Sequence, residues 1–247
     1  MFDLIKPGHI LRFGTDPHSI GAPMAATNST TNDNRLETLW TSANSVGAVE
    51  LISHPSGPLQ AIADDAAKEL REGFDLSRSV SYSPVGHAVT ASDRRLGSTA
   101  CDYVGYADGK SYYTETDQAV FSKEFSGCLM VAYRQNGVRR IAHVSASQVP
   151  TMDCKQAFLD TLRTHDATLI GWFRPFVLAD SERKAKAFRK ISKHADGDFG
   201  RTTTFGVFTA SDQHYAIDAF RPNRGGPNVW VVMGVYRPQL YTTFNVP

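Results

Sequence analysis

The sequence predicts an α+β domain: a mixed or antiparallel, sandwich-like β-sheet core flanked by helices. Three observations carry the prediction. Short β-branched and aromatic segments outnumber helical ones, and they arrive in runs rather than alternating with helices. An Asn-Gly dipeptide between two apolar runs marks a β-hairpin. A chain of 247 residues, 41% hydrophobic and 21% charged, can also bury a substantial core.

Taken in order, residues 1–35 read as a flexible polar arm, because "GAPMAATNSTTNDNR" has too little apolar surface to offset its ordering entropy. Residues 36–247 then form a single catalytic α+β domain. Its first helix is "GPLQAIADDAAKELREGF", with Pro58 at the start and Leu59, Ile62, Ala66, Leu70 and Phe74 at helical spacing. "SVSYSPVGHAVTASD", "CDYVGYADG" and "KSYYTETDQAVF" read as strands. The hairpin follows, then a helix at "CKQAFLDTLRTH" and a strand at "ATLIGWFRPFV". "SERKAKAFRKISKH" is a basic helix capped by Ser181, with Ala185, Phe188 and Ile191 as a narrow apolar stripe. "TTFGVFTA", "HYAIDAF" and "NVWVVMGVY" close the sheet.

Composition excludes several classes of function. A net charge of +1 gives no reason to expect nucleic-acid binding, and the basic helix reads as a solvated face. No apolar run reaches the roughly 18 residues of a membrane span. The start, "MFDLIKPGHILRFGTDPHS", lacks the apolar stretch of a secretory signal, so export would use a route without a cleaved signal peptide. Cys101, Cys128 and Cys154 are odd in number and show no C-x-x-C spacing, which fits reduced thiols and no structural zinc. Nothing in the sequence calls for a cofactor.

The chemistry concentrates in "FSGCLMVAYRQNGVRRIAHVSAS". A two-residue turn at Asn136-Gly137 pairs Gln135 with Val138, Tyr133 with Arg140 and Met130 with His143. Alternation then puts Cys128 and His143 on one face, diagonal neighbours with Cβ atoms roughly 7 Å apart. A thiol beside an imidazole suits acyl transfer. An imidazolium lowers the thiol pKa, the thiolate attacks, and the histidine protonates the leaving group. Gly127 after Ser126 lets the backbone turn sharply, so N–H groups near Cys128 can face an oxyanion. Cys101 and Cys154 read as structural thiols. The loop 221–227 reads as an ordinary connection. His214 and Asp218 share a strand face, and either is a candidate to orient His143.

"FSGC…AHVS" resembles the catalytic signature of the cytotoxic necrotizing factors and related lethal-factor deamidases, bacterial enzymes acting on protein glutamines. Ser126, Gly127 and Cys128 match that family's S-G-C, His143 matches its histidine, and Phe125 departs from its usual Leu. The resemblance covers about twenty residues. It implies a toxin or effector, made in a bacterial cytoplasm and then secreted or injected into a host cell. Cys128 would convert a glutamine of a host protein, such as a Rho-type GTPase or a translation factor, to glutamate. In some members the third catalytic element is a backbone carbonyl. Two alternatives stay open: another cysteine hydrolase or acyltransferase, protease or transglutaminase-like, and a non-enzymatic interaction domain with an incidental buried Cys-His pair.

Overall fold

The computed structural model describes residues 1–6, 9–13, 39–41, 44–52, 95–106, 111–125, 127–146, 154–176, 202–221 and 229–246. Twelve strands and one α-helix lie within these residues. The strands are β1 (Ile10–Phe13), β2 (Leu39–Thr41), β3 (Asn44–Ile52), β4 (Arg95–Val104), β5 (Ser111–Glu115) and β6 (Ala119–Ser122). Then come β7 (Leu129–Gln135), β8 (Val138–Val144), β9 (Thr168–Phe173), β10 (Thr202–Phe208), β11 (His214–Phe220) and β12 (Val229–Tyr236), with α1 (Cys154–Thr164) between β8 and β9.

The strands form a closed barrel, in the order β1-β12-β11-β10-β6-β4-β3, and a five-stranded sheet, β2-β5-β8-β7-β9. The mixed sheet core of the predicted α+β class is present. Its second layer is a closed barrel rather than an open sandwich sheet, because β1 pairs with both β12 and β3. Closure removes the edges that an open sheet would expose. Flanking helices are scarce. Only α1 is described; the helices expected at 57–74 and 181–194, and the strand expected at 79–93, lie outside the described residues.

The N-terminal arm needs correction. Phe2–Leu4 forms a 3-10 turn and Ile10–Phe13 is a barrel strand, with Phe2, Ile5 and Leu11 in the barrel core. Four residues give too short an alternation to stand out beside the polar segment that follows, yet their partners at 49–52 and 229–231 complete them. Residues 14–38 lie outside the described residues. Strands β2 and β3 were also not expected; "NSVGAVELI" carries small residues that hide the period-two signal.

The molecule is layered. The barrel interior is filled by Leu11, Tyr103, Phe121, Phe205, Tyr215, Ile217 and Trp230. Cys101 is buried there too, as a packing thiol. The barrel's outer face presents Val104, Val120 and Phe208 to Cys128, Met130, Ala132, Ile141 and Phe173 of the sheet side. The sheet's other face, Leu129, Val131, Tyr133, Ala142 and Val144, packs on Phe158, Leu159 and Leu162 of α1. Burying a side chain of that size contributes roughly 1.5–3 kcal/mol, so truncating Phe121 at the barrel centre would cost about 3–5 kcal/mol. The C-terminal segment covers the β9 edge, where Tyr241 exchanges both backbone hydrogen bonds with Trp172 and stacks on its ring.

One topological feature positions the site. Strands β4 and β6 run parallel and end in register, Val104 beside Ser122. The chain leaves the barrel for the sheet at both ends, to β5 after Val104 and to β7 after Ser122. Val104, Ser122 and the approach to Cys128 therefore converge at one end of the barrel–sheet interface.

Candidate active site at the barrel–sheet interface

Asn136 and Gly137 both have positive φ, 53° and 78°, as a type I′ turn requires. The ladder behind them pairs Gln135 with Val138, Tyr133 with Arg140 and Met130 with His143. Cys128 lies one residue before β7. It packs in the same interfacial layer as Met130 and Ile141, while Leu129 and Val144 face α1. Cys128 and His143 are thus on the face turned to the barrel.

Gly127 has φ 114°, a conformation that L side chains rarely adopt, and a Cβ there would meet the Ala146 Cβ at 3.4 Å. The glycine lets the chain turn into β7 and bring Cys128 against Ala146, whose N–H donates to the Cys128 Sγ at 3.3 Å. Ser126 lies outside the described residues.

The surroundings of His143 were not legible in the sequence. Its Nδ1 is 2.7 Å from the Ser122 Oγ, and the Ser122 hydroxyl donates to the Val104 carbonyl at 2.7 Å. A hydroxyl has one proton. Since Ser122 gives it to Val104, the proton between Ser122 and His143 belongs to Nδ1, and Nε2 carries the lone pair. Nε2 is buried and has no hydrogen-bond partner among the described residues. The ring lies flat on Phe125, centroids 4.1 Å apart with 4° between planes, and Tyr106 stands 5.0 Å away on a tilt of 39°.

Both members of the pair are only 1% exposed. Burial pushes the His143 pKa down to about 3, so the imidazole is neutral near pH 7. The expected imidazolium therefore does not charge the thiol in the resting protein. The neutral imidazole instead leaves Nε2 able to accept a proton, and no hydrogen bond joins Nε2 to the Cys128 sulfur. Tyr106, against the His143 ring, and Gly127 and Ala146, beside Cys128, are each partly exposed.

The other candidates fall elsewhere. His214 Nε2 bonds the Pro238 carbonyl at 2.7 Å, and Asp218 accepts from the Thr204 hydroxyl at 2.6 Å; neither orients His143. Cys154 begins α1, and none of the three cysteines is in a disulfide. Most of the loop 221–227 and the basic helix lie outside the described residues. Buried Arg139 ties β8 to the barrel through Asp212 and the carbonyls of Thr116, Gln118 and Thr209, a structural clasp. Among the described residues no three His, Cys, Asp or Glu side chains gather as metal ligands, and no helix is long and apolar enough to cross a membrane.

No protein-family model matches the chain, and no curated protein matches it. The likeness to the necrotizing factors stands on the short S-G-C and histidine spacing alone.

Proposed function

We propose that the chain is a protein glutamine deamidase acting as a bacterial toxin or effector, with Cys128 as nucleophile and His143 as general acid and base. The observation that carries the reading is the placement of His143, with Nδ1 against the Ser122 hydroxyl, on the sheet face that also carries Cys128. With the Ser122 hydroxyl donating to the Val104 carbonyl, Nδ1 would keep its proton toward Ser122, and Nε2, which has no hydrogen-bond partner among the described residues, would be the nitrogen that serves Cys128. A base held by a third group is the recurring pattern of activated nucleophiles.

In the proposed reaction Nε2 takes the Cys128 proton as Sγ attacks the glutamine carboxamide carbon, and the carbonyl π electrons move to oxygen. The tetrahedral intermediate collapses, the C–N bond breaks, and Nε2 returns the proton to the departing ammonia. Water, deprotonated by Nε2, then attacks the thioester; glutamate leaves and the thiol is restored. The Ser122 oxygen stabilises each transient imidazolium by accepting the Nδ1–H.

Intact-protein mass spectrometry of a substrate incubated with wild type and with Cys128→Ser tests this. Hydrolysis of one carboxamide adds about 1 Da and the variant adds none. Cleavage products would favour a protease, and an adduct a transferase.

The near-complete burial of Cys128 and His143 favours a second reading, an interaction domain with the pair as core. Alkylation decides between them. A catalytic Cys128 reacts with iodoacetamide in the folded protein ahead of Cys101, whereas a core thiol resists until unfolding.

A further inference from the structure

We infer that Phe125 is a positioning residue whose ring face stabilises His143 as it becomes an imidazolium, an inference that rests on reading Cys128 and His143 as a catalytic pair. In the resembled family this position is usually Leu, and the sequence alone makes Phe125 an apolar anchor. The structure shows a different relation. Phe125 lies parallel to the imidazole at 4.1 Å, and the Tyr106 ring flanks it at 5.0 Å.

An aromatic face is a weak partner for a neutral ring and a good one for a cation, more so where water is excluded. His143 is 1% exposed and Phe125 5%, so this contact is desolvated. Among the described residues the Ser122 hydroxyl is the one polar group bonded to the ring, and none of their carboxylates is bonded to either nitrogen to balance the charge. When Nε2 takes the Cys128 proton, the new positive charge meets two π faces and one hydroxyl oxygen. The Phe125 interaction is therefore stronger in the charged transition state than in the resting enzyme, which is the condition for raising kcat rather than tightening binding.

The seat of Phe125 is built for this placement. Gly206 of β10 pairs with Ser122 of β6, and a Cβ on Gly206 would fall 2.9 Å from the Phe125 ring and 2.7 Å from the Met130 sulfur. The bare backbone lets the phenyl ring lie over the barrel wall and under the imidazole.

The test replaces Phe125 in the full-length protein with mono-, di- and trifluorinated phenylalanine, which empties the ring face of electron density at nearly constant shape. Two rates are read: iodoacetamide alkylation of Cys128 at pH 7, and ammonia release from the protein substrate. Both the alkylation rate and kcat should fall stepwise with fluorine number, by about ten- to thirty-fold over the series, the loss of a desolvated cation–π contact. KM and the melting temperature should stay level. Phe125→Leu should fall as far as the trifluorinated ring. Flat rates across the series, or full activity in Phe125→Leu, would overturn the inference while leaving deamidation standing. A stepwise fall in alkylation with no substrate deamidated would uphold the stacking and defeat the deamidase reading. A Cys128 inert to alkylation in the folded wild type would overturn both.

Discussion

Ser122 and His143, 21 residues apart in sequence, meet at 2.7 Å across the boundary between barrel and sheet. The contact exists because β4 and β6 end side by side, so the last hydroxyl of β6 can serve the last carbonyl of β4 and the imidazole of β8 together. One serine thus connects the barrel's parallel strand pair to the hairpin that follows Cys128, and its bond to Val104 favours the proton on the Nδ1 of His143.

Replacing Ser122 with alanine should therefore separate chemistry from binding. The Nδ1–H would lose its acceptor in a dry layer, and the ring would be released to the other tautomer. The expected loss in kcat is on the order of 10² to 10⁴, the span general-base catalysis supplies. Stability should fall by about 1–3 kcal/mol from the orphaned donor. Nitrogen NMR of the wild-type imidazole checks the premise directly: a protonated Nε2 at neutral pH would contradict it.

Acid stability follows from the same burial. The folded His143 titrates at about 3 against an ordinary value of 6.5, so between these limits the unfolded chain binds the extra proton. Stability rises with pH wherever the unfolded state holds more protons. The His143 contribution is thus complete above about pH 6.5 and is lost as pH falls toward 3. Urea midpoints should drop over that window in wild type, and the drop should be shallower in His143→Gln. The acid limb of kcat/KM should likewise lie well below pH 6. A limb near 6.5 would mean that the imidazole is hydrated in solution.

Local chemistry was legible in the sequence and long-range closure was not. Asn136-Gly137 sets the hairpin register because a type I′ turn leaves no freedom, and that register puts Cys128 and His143 on one face. The strands from β7 onward were readable from their β-branched and aromatic content, whereas only the end of β4 was, and β5 and β6 read as one segment although they lie in different sheets. Barrel closure depends on Ile10–Arg12 finding partners more than two hundred residues away, which no local period encodes. Ser122 becomes a partner of His143 only through the parallel β4–β6 register, and Phe125 only through the space above Gly206. His214 and Asp218, the residues the strand pattern offered, sit on β11, where Pro238 and Thr204 take them.

Gly206→Ala tests that space without touching the proposed catalytic pair. The added methyl group would crowd Met130, Pro175 and Phe125, each within 3.0 Å of its position. Overpacking of this kind costs about 1–3 kcal/mol, visible as a lower melting temperature. If Phe125 tilts off the imidazole, kcat should fall several-fold further than destabilisation accounts for at a temperature where the variant is fully folded. Wild-type kcat in a folded, destabilised Gly206→Ala would argue that the placement of Phe125 is indifferent to catalysis.

Cys128→Ser and His143→Ala should each abolish activity, and the double variant should be little worse than either, because groups acting as a unit are lost together. Their stabilities should differ. Serine can still accept the Ala146 N–H that now reaches the Cys128 sulfur, so its melt should stay near wild type. Alanine at 143 empties the space between Phe125 and Tyr106 and leaves the Ser122 oxygen without its donor, and its melting temperature should fall. Equal, large losses in both variants would favour the core-pair reading.

Substrate size is the last expectation. Cys128 and His143 are each 1% exposed, so a small reagent or a free carboxamide meets the thiol only in brief local openings, and efficient turnover needs that opening held. Moving packed groups takes free energy, and a protein partner can supply it from contacts remote from the reacting glutamine. Binding energy spent in this way appears in kcat as well as affinity. Free glutamine has no such remote surface. Its turnover should be negligible, and short glutamine peptides should lose kcat along with affinity relative to a folded protein partner. An ammonia-release assay on free glutamine, a glutamine peptide and the intact partner measures the difference. Release from free glutamine at roughly 10 per second, a rate typical of metabolic enzymes, would refute a protein-directed effector and identify a small-molecule amidase instead.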